Sequence, residues 1–340
     1  MKIPNGFWVL FWVSIISAFL LVSCSSDGIS EKKKTQNVKA ISQIAQKINS
    51  DFQSIKAYTQ SLADYTVKLY VNQNQFSYTN KNNYKMSSTG VLYKPVDDFN
   101  SAVYVSGLTP ITEEVRKIVY FTEPLDSIFK EIIKNNEAVV QTYYNDRHNY
   151  NRIYPFFDVL SQYEPRLDIT SFNFYYLADE KHNPEKKALW VNDSYVDPAG
   201  RGWMISAIAP VYYNNTLEGV SGIDITINTI TDKYLTANQN DILIVDKSGV
   251  IVTASEAIIS LLGLPTLSDH KYIETIKKDI YKKDNYNLLR NRNSLVRNAF
   301  NRIVNEFSEF ETITLSDDKY FLFAAEIKEL NWRIIKLLKK

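Results

Sequence analysis

Asp224 interrupts the apolar run Val220, Ile223, Ile225 and Ile227. A carboxylate there is costly unless it is paired or faces a wet cleft. Strand alternation puts Gly222, Asp224 and Thr226 on one face, so the acid either looks into solvent or offers an acceptor to a positively charged group. Asp197-Pro198-Ala199-Gly200 taken alone reads as a turn, because aspartate caps turns and Pro-Ala-Gly sets them. Arg152 is a forked, permanently charged donor that either grips a carboxylate or ties loops down from the interior. Trp190 and Trp203 suit a packed core or the wall of a cleft.

Nothing in the spacing points to catalysis. The histidines are His148, His182 and His270, with no HExxH-like pattern, so no metal site is expected. A Gly-x-Ser-x-Gly elbow, a P-loop and a dinucleotide fingerprint are missing. Asp97-Asp98 and Glu113-Glu114 look like turn and helix-start residues. An envelope hydrolase using paired acids is the third reading, with no residue in its favour, and no cofactor is expected. Lys plus Arg (39) nearly balances Asp plus Glu (38), so no global field gathers nucleic acid or anionic lipid.

The elements that must position these residues follow from periodicity. The 340 residues suffice for two domains of roughly 100 to 200 residues each. From Val38, apolar residues Ile41, Ile44, Ile48, Phe52, Ile55, Leu62, Tyr65 and Leu69 form one face of a helix longer than one small domain needs. Such a helix runs beside two stacked modules or forms a free coiled coil. Val71 to Thr89 reads as irregular, Gly90–Tyr93 and Ser101–Val105 as a hairpin, Pro124–Lys134 as a helix and Ala138–Tyr144 as a buried strand. Met204–Tyr212, the turn Asn214-Asn215 and Gly219–Ile227 spell a second hairpin, followed by a short helix over Thr229–Leu235. A further unit opens with Ile242–Val245, Asp246-Lys247-Ser248-Gly249 and Val250–Val252. It continues with mostly helical Ser255–Leu264 and Tyr272–Phe307 and closes with strands Tyr320–Ile327 and Trp332–Leu338.

The first segment points to a compartment. Lys2 is the only charge before the apolar stretch Phe7–Val22, which is short for a spanning helix and suits a secretory signal. Leu21-Val22-Ser23-Cys24 resembles the bacterial lipobox, in which the cysteine thiol carries a lipid. One exported cysteine makes no intramolecular disulfide, and lipidation at Cys24 accounts for it. The expected location is the periplasm-facing cell envelope, the outer membrane in preference to the inner because Ser25 follows the cysteine.

Tyr143-Tyr144-Asn145-Asp146, Asn151-Arg152-Ile153-Tyr154-Pro155, Trp190-Val191-Asn192, Tyr195-Val196-Asp197-Pro198-Ala199-Gly200, Gly202-Trp203-Met204, Ala209-Pro210-Val211-Tyr212 and Gly219–Asp224 resemble the extracytoplasmic double Cache domains of bacterial chemoreceptors and sensor kinases. The resemblance implies a mixed α/β (α+β) fold with a long N-terminal helix and two stacked PAS-like modules with antiparallel sheets. The expected boundaries are a signal peptide at 1–23 and a tether at 24–37, then, within the resemblance, the helix at 38–75, a membrane-distal ligand-binding module at 76–236 and a membrane-proximal module at 237–340. In the amino-acid-binding branch, Arg152 with Tyr154 looks like the carboxylate grip, and Tyr195, Asp197 and Asp224 look like the ammonium grip. Tyr143 and Trp190 are candidate walls. Pro155 and Arg147 stand where that branch has aromatic residues, which leaves the ligand open among amino acids, amines and small carboxylates. Charge-assisted bonds of ~1.5 to 3 kcal/mol each would support micromolar binding. No signalling region is read after the last hairpin, so the expectation is a lipid-anchored binding protein that presents its bound state to an envelope partner. The alternative is a scaffold that has lost its ligand.

Overall fold

The side chain of Ser30 accepts the amide of Lys33 and starts the 41-residue helix α1, Glu31–Val71. The computed structural model describes residues 28–76, 81–191, 195–196, 203–235, 241–265 and 283–340. Helix α1 thus begins seven residues before the expected Val38 and ends before the expected residue 75. Residues 31–37 carry no apolar period, but the cap, Glu31 in the first turn and the buried Ile29 just before it hold this end. Its buried stripe runs Ile41, Ala45, Ile48, Phe52, Ile55, Thr59, Leu62 and Thr66, the three-and-four spacing of a helix lying on sheets.

The first module contains β1 (Lys85–Met86), β2 (Leu92–Tyr93), β3 (Ala102–Val105), α2 (Glu113–Phe121), α3 (Leu125–Asn135), β4 (Gln141–Asp146), β5 (Tyr150–Tyr154), α4 (Val159–Gln162) and α5 (Asn173–Tyr176). It continues through β6 (Leu189–Trp190), β7 (Tyr195–Val196), β8 (Trp203–Tyr213), β9 (Thr216–Thr226) and α6 (Ile227–Tyr234). The second has β10 (Ile242–Val245), β11 (Ile251–Ala254), α7 (Glu256–Leu261), α8 (Ser294–Asn305), β12 (Phe310–Leu315), β13 (Asp318–Ile327) and β14 (Trp332–Lys339). Strand β12 was not anticipated.

The sheets are antiparallel, ordered β1-β2-β3-β5-β4-β9-β8-β6 with β7 also on β8, and β11-β10-β14-β13-β12. The inner strands β5-β4-β9-β8-β6 and the whole second sheet share one connectivity: second, first, fifth, fourth, third. The molecule is therefore two copies of one five-stranded plan, each laid with one face on α1. Ile205, Ala207, Ile223 and Ile225 of the first sheet and Ile244, Phe323 and Ile334 of the second join α1 in one core. At Asn214-Asn215, φ of 48° and 63° makes the tight turn that two-residue hairpins favour.

Candidate ligand site on the outer face of the first sheet

Alternation gives the first sheet two chemically different faces. Toward the helices point Thr142, Tyr144 and Asp146 of β4 and Tyr150, Arg152 and Tyr154 of β5. Away from them point Gln141, Tyr143 and Asn145, then Asn151 and Ile153. This outer face is covered by the 159–178 segment through Val159, Ile169, Phe174 and Tyr175.

Register sets three polar residues in a row on that face, because Gln141 pairs with Asp224 and Asp224 pairs with Ser206 across β4, β9 and β8. The Gln141 amide donates to Asp224 Oδ2 at 2.5 Å and the Ser206 hydroxyl donates to Oδ1 at 2.5 Å. Asp224 is 0% exposed. It lines a cavity of about 30 Å³ together with Tyr143, Asn145, Asn151, Tyr163 and Phe174, among others. Tyr143 lies flat on the neighbouring strand because its partner Gly222 has no side chain: a Cβ there would sit 2.0 Å from the ring. Phe174 meets the Tyr143 ring edge-on at 6.0 Å. Farther along, Asn151 donates to Asn145 at 2.7 Å and the Tyr163 hydroxyl reaches Asn151 at 3.3 Å. The arrangement is a buried carboxylate between two donors, with aromatic rings beside it and neutral amides beyond. That set suits an ammonium, which a carboxylate and ring faces both attract.

The predicted residues do not all meet here. Tyr143 and Asp224 share the outer face, whereas Arg152, Tyr154 and Trp190 lie on the helix face. Arg152 is spent on the protein itself. Its Nη1 donates to both carboxylate oxygens of Asp126 at 3.0 and 3.2 Å, Nη2 to Tyr84 and to the Val119 carbonyl, and Nε to Tyr150. The guanidinium ties β5 to both neighbouring helices, the loop-fastening alternative for an interior arginine. Tyr154 packs against the main core, and Trp190 packs on Phe52 with ring centres 5.2 Å apart. The backbone of Tyr195 pairs with Met204, next to the strand that carries Ser206. Asp197 and Cys24 lie outside the described residues.

Gln141, Asn145, Asn151 and Ser206 were not singled out from the sequence. The every-second-residue polar pattern Gln141, Tyr143, Asn145 in a buried strand was the available signal. A buried acid also lies on the opposite face: Asp146 accepts from Tyr70 at 2.8 Å and sits 2.6 Å from His148 Nδ1. That hydrogen bond raises the His148 pKa. Burial pushes the Tyr70 and Tyr144 phenols well up, keeping both as hydrogen-bond donors.

No protein-family model matches this sequence, and no curated protein matches it either. Solved structures do match over nearly the whole chain. The extracellular domain assigned to the histidine kinase soHK1S-Z6 aligns with a TM-score of 0.51 at 13% identity, covering 91% of this chain and 95% of that one. Those assigned to the histidine kinases mmHK1S-Z3 and mmHK1S-Z2 align with TM-scores of 0.52 and 0.51 at 12% and 13% identity. They cover 92% and 90% of this chain and 96% of each of those. The long helix with two antiparallel sheets is thus the fold of those extracellular domains, and it is the architecture that the double Cache resemblance implied.

Proposed function

We propose that this double Cache fold serves as an extracytoplasmic receptor for a small amine-bearing metabolite, an amine or an amino acid, whose ammonium is held at Asp224 beside Tyr143. The observation that carries this reading is a fully buried carboxylate aimed into a cavity on the outer face of an otherwise greasy strand. Asp224 brings a carboxylate to that lining, which favours a ligand recognised through its positive end over a simple carboxylate. Tyr195 and Asp197 belong to the same proposed grip, on the chain that enters β8. Binding is the whole activity of the site, and no catalytic step is assigned to it. Lipid attachment at Cys24 and presentation of the bound state to an envelope partner complete the proposal.

A thermal-shift screen of amines, amino acids and small carboxylates tests it. Amine-bearing compounds should raise the melting temperature, and Asp224→Ala should weaken each hit at least tenfold, as expected for one charge-assisted bond of ~1.5 to 3 kcal/mol. Undiminished binding by that variant would contradict the assignment. One observation favours the ligand-free scaffold reading: about 30 Å³ is water-sized, so any amino acid must first push the 159–178 segment outward. A screen without hits would support that second reading.

A further inference from the structure

We propose that the end of the molecule where α1 starts and β14 finishes is a docking face for the anionic phospholipid headgroups of a membrane surface. The chain as a whole carries a formal charge of only +1, yet its lysines are not spread evenly. Lys32, Lys33 and Lys34 occupy the first turn of α1. Lys34 lies 4.4 Å over the Phe310 ring, Phe310 stacks on Phe321 at 6.1 Å, and Lys319 lies 5.8 Å over Phe321. The backbone of Lys340 donates to the Lys319 carbonyl, and its Nζ comes within 2.9 Å of where a Cβ on Gly28 would stand. These contacts make one continuous patch. Lys32, Lys33 and Lys340 are exposed, and Lys34 and Lys319 hold their ammonium groups over aromatic rings. Acids on the same segments are Glu31 in the first turn of α1, the exposed Glu309 beside Phe310 and the exposed Asp317, while Glu311 is paired with Arg302 and Asp318 with Lys339.

Position selects a membrane as the occupant. Residue 28 leaves the fold at this patch, so the uncharged apolar stretch Phe7–Val22 is joined here. Five residues separate Val22 from Gly28, a link that spans no more than ~20 Å. Whatever bilayer receives the apolar stretch, or a lipid on Cys24, is therefore held close to the lysines. Among the described residues no helix is long and apolar enough to cross a membrane. The clustered lysines give this face an attraction to anionic lipid. The inference takes from the functional reading only its envelope placement and does not use the Asp224 cavity.

The test is sedimentation of the full chain with vesicles of phosphatidylcholine alone and of phosphatidylcholine mixed with phosphatidylglycerol, at low and high salt. The apolar N-terminal stretch partitions into both, so the difference between them reads the lysines. The chain should prefer the anionic vesicles, high salt should erase the preference, and Lys32→Gln/Lys33→Gln/Lys340→Gln should reduce it about fivefold per lysine. The control Lys134→Gln/Lys181→Gln/Lys187→Gln, three exposed lysines of the first module, should leave it unchanged. Equal binding to both vesicles, a preference that survives the first triple substitution, or an equal loss in the control would overturn the proposal. Ligand affinity enters none of these readings, so the lysine face and the Asp224 cavity stand or fall separately.

Discussion

Asp224 and Arg152 are both fully buried charges on one sheet, separated only by β4, and they do different work. Arg152 faces the helices, where every nitrogen of its fork is spent on the protein. Replacing it with methionine strands Asp126 and three further acceptors, so urea unfolding should show a loss of about 3 to 5 kcal/mol. Asp224→Asn keeps shape and removes charge. Its melting temperature should stay near that of wild type while the shift produced by amines disappears. Gly222→Ala is a second probe, because the methyl must displace the Tyr143 ring. Calorimetry should then show weakened binding of the same compounds while Asp224 is unchanged. Asp224 was legible because an acid in an apolar strand is conspicuous. The direction of Arg152 was not, since one residue of parity in the five-residue strand β5 decides which face it takes.

At the level of elements, strong local signals matched what the chain builds, and weak ones did not. The Asn214-Asn215 hairpin, the β2–β3 hairpin and the closing hairpin all carry alternation and turn chemistry. Strand β5 lacks an apolar alternation of its own and is a strand because of its neighbours, and in β12 the alternation is confined to Ile313 and Leu315. The start of α1 depends on a cap that apolar periodicity does not report. One junction between elements is pH-sensitive. Asp146 at the end of β4 receives Tyr70 from α1 and His148 from the following turn. The hydrogen bond to Asp146 holds His148 above its ordinary pKa of 6.5, so its protonated form stabilises the fold. That contribution is complete below about pH 6.5 and fades as pH rises through the elevated value. Urea titrations of wild type and His148→Gln should show a stability gap that narrows from pH 5.5 to 8.5.

For the whole molecule, α1 is the spine on which two copies of one strand plan are mounted, and Phe52 marks the joint. Its ring touches Trp190 of the first module, Tyr234 of α6 and Trp332 of the second module at 5.2, 6.4 and 6.2 Å. Lys56 also pairs with Glu329 beside it, and Tyr234 donates to Asp51 at 2.7 Å. Phe52→Ala should cost about 3 to 5 kcal/mol, and calorimetry should resolve two transitions where the intact chain shows one. The two-module plan was readable from the length of the helix and from a second strand-turn-strand start at residue 242. The knot was not, because contacts between residues 52, 190 and 332 have no local signature. The cavity depends on the same long-range register, which lines up Gln141, Asp224 and Ser206. The most direct test is therefore a crystal structure of the protein with the best amine-bearing hit. The ammonium should lie within hydrogen-bond distance of the Asp224 carboxylate with the Tyr143 ring beside it. A ligand seated on the helix face near Arg152, or in the second module, would contradict the account.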